Sequence, residues 1–124
     1  MVLQSPIASA GSVVLPALIA RSLANFDIFR NYEKISHVTC RVLLMHGRAD
    51  TMVPFAHSCE ILYPLLRDPH PPLWLDACGH RDMPDAECLR CVAAFVGYVA
   101  DRTKRVEARR ISNDVWPLLS GLFS

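Results

Sequence analysis

The sequence predicts an α/β fold of about three parallel strands with flanking helices. Three observations carry that prediction. Short apolar runs at Met1–Gln4, Val42–Met45 and Leu73–Leu75 have strand length and clear stop signals. Longer stretches with helical spacing lie between and after them, the alternation expected of βαβ units. Asp50 and His80 each fall just past the end of a predicted strand, where open α/β sheets place their chemistry.

Met1–Gln4 is a strand ended by Ser5-Pro6, because the residue before a proline is pushed out of the helical region. Ser12–Ala24 has helical spacing, with Val14, Leu18 and Leu23 among its apolar positions, and Pro16 inside it. Phe26, Ile28, Phe29 and Tyr32 form an aromatic-apolar cluster suited to a core or a pocket wall. Asn31–Ile35 suits a single helical turn. Val42–Met45 stops at His46-Gly47 and leads to Asp50. Pro54–Leu66 is expected as one helix with Phe55, Cys59, Leu62 and Leu66 on one face. The Pro-rich turn 67–72 must end it. Leu73–Leu75 leads into Gly79-His80. Asp85–Ala100 is a second helix, its buried stripe expected at Leu89, Val92, Ala93, Val96 and Val99. The stretch 101–110 reads as a solvated charged face, and Trp116–Leu119 with Leu122-Phe123 as an apolar tail. The expected division is therefore a domain over 1–101 and a tail over 102–124.

Composition excludes several classes. The 124 residues are 52% apolar and 20% charged, which is a globular balance. A net charge of +1 gives no electrostatic case for nucleic acid or an acidic membrane surface. Five cysteines without framework spacing favour free thiols in a reducing, cytoplasmic setting. The start of the chain lacks a secretory pattern, and the apolar stretch 7–20 is short and broken by Gly11 and Pro16. No Gly-rich phosphate loop is present, so no nucleotide cofactor is indicated. Cys88-Leu-Arg-Cys91 lies in a predicted helix, where buried small hydrophobes fit better than zinc ligands, so no metal is expected.

The form strand-His46-Gly47-x-x-Asp50-x-x-Val53, followed by Gly79-His80, resembles the acid and histidine loops of the α/β-hydrolases. In that fold the order is Ser, then Asp or Glu, then His. The resemblance runs over roughly residues 2–100, through Gln4-Ser-Pro6, Phe26-Asp27, Asn31-Tyr-Glu-Lys34, Leu73-Trp74 and Gly79-His80-Arg-Asp82. It points most closely to the α/β-hydrolase-domain-17 group, membrane-associated serine hydrolases that remove palmitate from proteins. The fold implied is the C-terminal part of such a hydrolase. No Gly-x-Ser-x-Gly occurs in the sequence. In the resembled fold the nucleophile elbow and oxyanion donors precede the acid, so they are expected upstream of these residues. The lipidated cysteine cluster that holds the group at membranes has no counterpart here. A longer form is where peripheral membrane attachment is expected.

Asp50 is the candidate acid. A triad acid accepts the Nδ1–H of the base and fixes its tautomer, while the plainer role for an Asp before Pro54 is to cap a turn. His80 is the candidate base, which takes the nucleophile's proton and returns it to the leaving group; the plainer role is a surface turn histidine. Gly79 is expected to allow a tight backbone turn before it. His37, His46, His57 and His70 read as structural or exposed. Ser5 and Ser12 lack the paired glycines of an elbow and are not expected to be nucleophiles.

The reading is thus a segment of a serine ester or thioester hydrolase, carrying acid and base, whose substrate is an acylated protein or lipid-like ester. The alternative is an inactive truncated or repurposed module acting in binding or regulation. The first strand's open edge makes self-association expected, or capping of that edge by the Trp116–Phe123 tail.

Overall fold

The computed structural model describes residues 1–11 and 29–120, the side chains of 112 and 114–120 excepted. The chain divides into two compact units, Met1–Val92 and Ala93–Ser124.

Strands β1 (Val2–Gln4), β2 (Leu43–Gly47) and β3 (Leu73–Leu75) make one parallel sheet in the order β1-β2-β3. The expected parallel sheet is therefore present, with its strands in chain order. Leu3 pairs with Leu44 and His46 with Trp74. β2 is central, and every one of its residues is buried. That is why it reads as an unbroken apolar run, since a central parallel strand is covered on both faces. β2 runs two residues further than expected, through His46 and Gly47. Val42, the expected first residue, forms an isolated bridge to Pro69. Two hydrogen bonds pin the Pro-rich turn there, Val42 N–H to Asp68 C=O at 3.0 Å and His70 N–H to Val42 C=O at 2.8 Å.

Alternation places Val42, Leu44 and His46 on one face of β2. The first two join Ala8, Ile35, Cys59, Leu62 and Leu66 in the core, with Leu3, Tyr32, Val38, Phe55, Tyr63 and Trp74 packed around them. Leu44 and Leu62 are wholly inside, each stabilising the fold by about 1.5–3 kcal/mol relative to exposure. The Trp74 ring meets Phe55 and Tyr63 edge-on, with centroids 5.0 and 5.9 Å apart.

The expected helix over 54–66 is broken into three pieces. A 3-10 turn covers Phe55–His57, α2 covers Cys59–Leu62, and a second 3-10 turn covers Tyr63–Leu65. Ser58 leaves helical geometry at φ −132°, ψ −86°. Pro64 has no N–H to continue an α-helical ladder. The apolar face survives the breaks: Cys59, Leu62 and Leu66 are buried and Phe55 half-buried. The single turn expected at 31–35 is α1 (Asn31–Lys34), continued by a 3-10 turn over Ile35–His37. Tyr32 packs on the core, whereas Phe29 is exposed. The expected helix 12–24, Phe26 and Ile28, and the tail residues Leu122 and Phe123 lie outside the described residues.

Helix α3 covers Asp85–Ser120, well past the expected end at Ala100. The charged stretch supports it: Arg105 pairs with Asp101 at 2.8 Å and Thr103 Oγ1 donates to Val99 C=O at 2.9 Å. Asp85 and Glu87 in its first turn suit the positive end of the helix dipole. Its stripe also differs from expectation. In the first unit Cys88 is buried while Leu89 is exposed; in the second, Phe95 is buried while Ala93 and Val96 are exposed. Val92 and Val99 are half-buried. Cys88 and Phe95 thus take the buried places expected for Leu89 and Val96, each within its own unit.

Candidate functional site

The site forms where β2 and β3 end side by side. The turn after β2 is held to the strand by Asp50 N–H donating to Gly47 C=O at 3.2 Å. It is latched to the loop after β3 by two further bonds. Arg48 N–H reaches Leu75 C=O at 2.9 Å, and Ala49 N–H reaches Cys78 C=O at 3.0 Å. Gly47 permits this latch. A Cβ there would sit 2.1 Å from the Cys78 carbonyl oxygen and 2.7 Å from that of Gly79. No described glycine has positive φ, so Gly79 makes no use of left-handed backbone. Its N–H instead donates to Asp82 Oδ1, which closes the histidine turn. Met83 then folds inward, its sulfur 3.8 Å from Gln4 Nε2 and 3.9 Å from Ser5 Oγ at the end of β1.

Asp50 and His80 come together. The His80 Nδ1–H donates to Asp50 Oδ2 at 2.8 Å, and the acid side chain is fully buried while the imidazole is part-exposed. Asp50 Oδ1 accepts the N–H groups of Met52 and Val53 at 2.9 and 2.8 Å. The two roles weighed for this residue are thus divided between its oxygens: one closes an Asx turn, the other faces the histidine. Burial pushes the Asp50 carboxyl upward, but the Val53 N–H, His80 and the Met52 N–H together outweigh it and hold the carboxyl below its ordinary range. At neutral pH it is a fixed anion. The His80 Nδ1 proton is thereby committed, and Nε2 has no hydrogen-bond partner among the described residues.

His46, read from sequence as structural or exposed, lies fully buried beside this pair. Its Nε2 is 2.9 Å from Val53 C=O and 3.3 Å from Asp50 Oδ2, and its Nδ1 is 3.2 Å from Cys59 Sγ. The available signal was the spacing His-x-x-x-Asp across a strand end, which brings the two side chains back to one side of the turn. Burial raises the Cys59 thiol to about 12, so it stays protonated and donates to the ring. The Ser58 hydroxyl donates to Pro6 C=O.

Ser5 has φ +43°, an uncommon value for a non-glycine residue. Its N–H donates to Met45 C=O at 2.9 Å, and its hydroxyl faces Met83 rather than His80. Ser12 lies outside the described residues. Cys88 is buried and Cys91 half-buried, both as free thiols. Among the described residues no group of His, Cys, Asp and Glu is placed to hold a metal, and no helix is long and apolar enough to cross a membrane.

The chain is 35% identical over 113 residues to "Alpha/beta hydrolase domain-containing protein 17B" of Xenopus laevis, covering 91% of this chain and 35% of that protein. It is 35% identical over 83 residues to the human protein of the same name, covering 67% of the chain and 28% of that protein. The same identity over 83 residues relates it to "Alpha/beta hydrolase domain-containing protein 17C" of Mus musculus, covering 67% of the chain and 25% of that protein. The chain spans about a third or less of the length of these relatives. No protein-family model and no solved structure matches it. Sequence identity, a parallel sheet in chain order, and an Asp and a His meeting beyond successive strands agree, and the chain belongs to the α/β-hydrolase-domain-17 group.

Proposed function

We propose that Asp50 and His80 are the acid and base of a serine hydrolase acting on acyl esters or thioesters, of the palmitoyl-protein thioesterase kind. The nucleophile and oxyanion donors come from a segment outside these 124 residues. The observation that carries the reading is the 2.8 Å bond from His80 Nδ1 to a buried carboxylate already fixed by two backbone N–H groups.

In this reading the serine attacks the acyl carbonyl while His80 Nε2 takes its proton. Asp50 holds the ring in the Nδ1–H tautomer and stabilises the imidazolium as it forms. His80 then protonates the departing alcohol or thiol, and water clears the acyl-enzyme with His80 again as base. The chain's own contribution is orientation and proton movement. It supplies neither acyl acceptor nor oxyanion donors, and loss of one such donor costs about 10²–10³ in rate.

A fluorophosphonate probe tests this, because it reports an activated serine. The 124-residue chain is expected to label no more than a denatured control. A form extended through a Gly-x-Ser-x-Gly segment should label at that serine, and His80→Ala should abolish the label. His80-dependent labelling of Ser5 or Ser12 in the short chain would refute the division of labour. An extended form that stays unlabelled would point to a binding or regulatory module.

A further inference from the structure

Asp50 carries a second histidine. Oδ1 receives two backbone N–H groups, and Oδ2 faces both His80 Nδ1 at 2.8 Å and His46 Nε2 at 3.3 Å. Three of these contacts are hydrogen bonds, while the His46 Nε2–H is donated to Val53 C=O and lies against Oδ2 at longer range. We propose that His46 is a positioning residue of this site: its Nε2–H, donated to Val53 C=O, sets the positive edge of the imidazole 3.3 Å from Asp50 Oδ2, and that dipole tunes how strongly the carboxylate holds the His80 ring. This rests on the reading of Asp50 and His80 as acid and base.

The tautomer is set by the neighbours. Nε2 faces two acceptors, a carbonyl at 2.9 Å and the carboxylate, so it carries the ring proton. Nδ1 faces the Cys59 sulfur at 3.2 Å, and a thiol raised to about 12 is a donor, so Nδ1 accepts. The Phe55 ring stands edge-on to the imidazole, with centroids 5.7 Å apart. A core histidine would be satisfied by Val53 and Cys59 alone; the contact to Oδ2 is additional. The His80 donor and the nearby His46 dipole both draw on the negative charge of Oδ2 in a low-dielectric setting. The titratable groups facing this carboxylate are His80 from the loop after β3, His46 from β2 and, behind His46, Cys59 from α2. On the histidine loop Asp82 is engaged by Gly79 N–H, and Asp76 pairs with Arg48 at 3.3 Å.

The test is imidazole ¹⁵N NMR on the 124-residue chain, following each histidine through a pH titration. His46 is expected as the Nε2–H tautomer. His46→Phe, which keeps a ring but removes the donor, should leave Oδ2 to His80 alone and raise the His80 midpoint by about half a unit, roughly threefold in its protonation ratio. His46→Gln, whose amide N–H restores a donor, should return it towards wild type. A folded His46→Phe chain with an unmoved His80 midpoint would overturn the proposal. So would an Nδ1–H tautomer at His46, which decides the matter even where the Phe variant does not fold. Asp50→Asn separates the two readings: a His80 midpoint indifferent to that change defeats the acid–base pair itself, whatever His46 does.

Discussion

Gly47→Ala is the substitution most directly read from the geometry. The new Cβ would meet the Cys78 carbonyl oxygen at 2.1 Å, its carbon at 2.6 Å and the Gly79 oxygen at 2.7 Å. All three are backbone atoms, so no side chain can swing aside. To clear them, the loop must retreat by roughly 1 Å, the kind of overpacking that costs about 1–3 kcal/mol. The retreat also stretches Ala49 N–H to Cys78 C=O, now 3.0 Å, for a further loss of about 1 kcal/mol. Restricting the unfolded chain returns about 0.4–1 kcal/mol. The expected net loss is about 2 kcal/mol by urea denaturation. The same displacement carries His80 Nδ1 from 2.8 Å to beyond hydrogen-bond reach of Asp50, so the His80 ring titration should lose its dependence on Asp50. A loss below about 1 kcal/mol with an unchanged His80 titration would refute the idea that the missing Cβ seats the histidine loop.

Gly97→Ala is the matched contrast: a Cβ added there in helix α3 would meet nothing within 4 Å, so stabilisation by about 0.5–1 kcal/mol is expected by thermal unfolding. Because the Asp50 carboxyl is held below its ordinary value of 3.8, its contribution to stability is present above that value and lost as pH falls through the lowered one. Urea midpoints measured from pH 5 downward should therefore fall less steeply in Asp50→Asn. The Cys59 thiol shifts the other way, from 9.0 to about 12, so its contribution is full below about 9 and is lost as pH rises towards about 12. Cys59→Ala should flatten that alkaline decline, and iodoacetamide should alkylate Cys59 only in the unfolded chain, as mass spectrometry of digests would show.

The sheet was legible because its signals are local. Three short apolar runs ended by proline, glycine or a turn are enough to place β1, β2 and β3, and their parallel order follows from the connections between them. Asp50 and His80 were legible as positions after strand ends. What escaped depends on three-dimensional competition. The break at Ser58 has no proline or glycine to announce it. The burial of Cys88 and Phe95 in place of Leu89 and Val96 depends on packing within each unit that sequence spacing does not show. Gly79 looked like the turn glycine of the site, but the glycine without room for a side chain is Gly47, and a close backbone approach leaves no local trace in sequence. His46 was read as structural or exposed because it stood at the stop of the Val42–Met45 run, and only the fold brings its ring back against Asp50.

The break in the 54–66 segment explains how that partner is held. A 3-10 turn advances about 120° per residue against about 100° for an α-helix, so Phe55–His57 rotates the residues after it by roughly 60° relative to a continuous helix. Ser58 then departs from helical geometry, and its hydroxyl anchors the departure on Pro6 C=O, just past the end of β1. Cys59 is thereby the first residue of α2, with its sulfur 3.2 Å from His46 Nδ1. On the other side of the ring, the Asx turn that Asp50 makes with Met52 and Val53 brings the Val53 carbonyl within 2.9 Å of Nε2. The carboxylate, the buried imidazole and the thiol therefore lock one another through backbone geometry at both ends. A continuous helix from Pro54 would satisfy helix propensity better, yet it would turn Cys59 away and leave a buried ring nitrogen without a partner, at a cost of about 1–3 kcal/mol. Helical regularity yields here to two polar contacts, Ser58 Oγ to Pro6 C=O and Cys59 Sγ to His46 Nδ1.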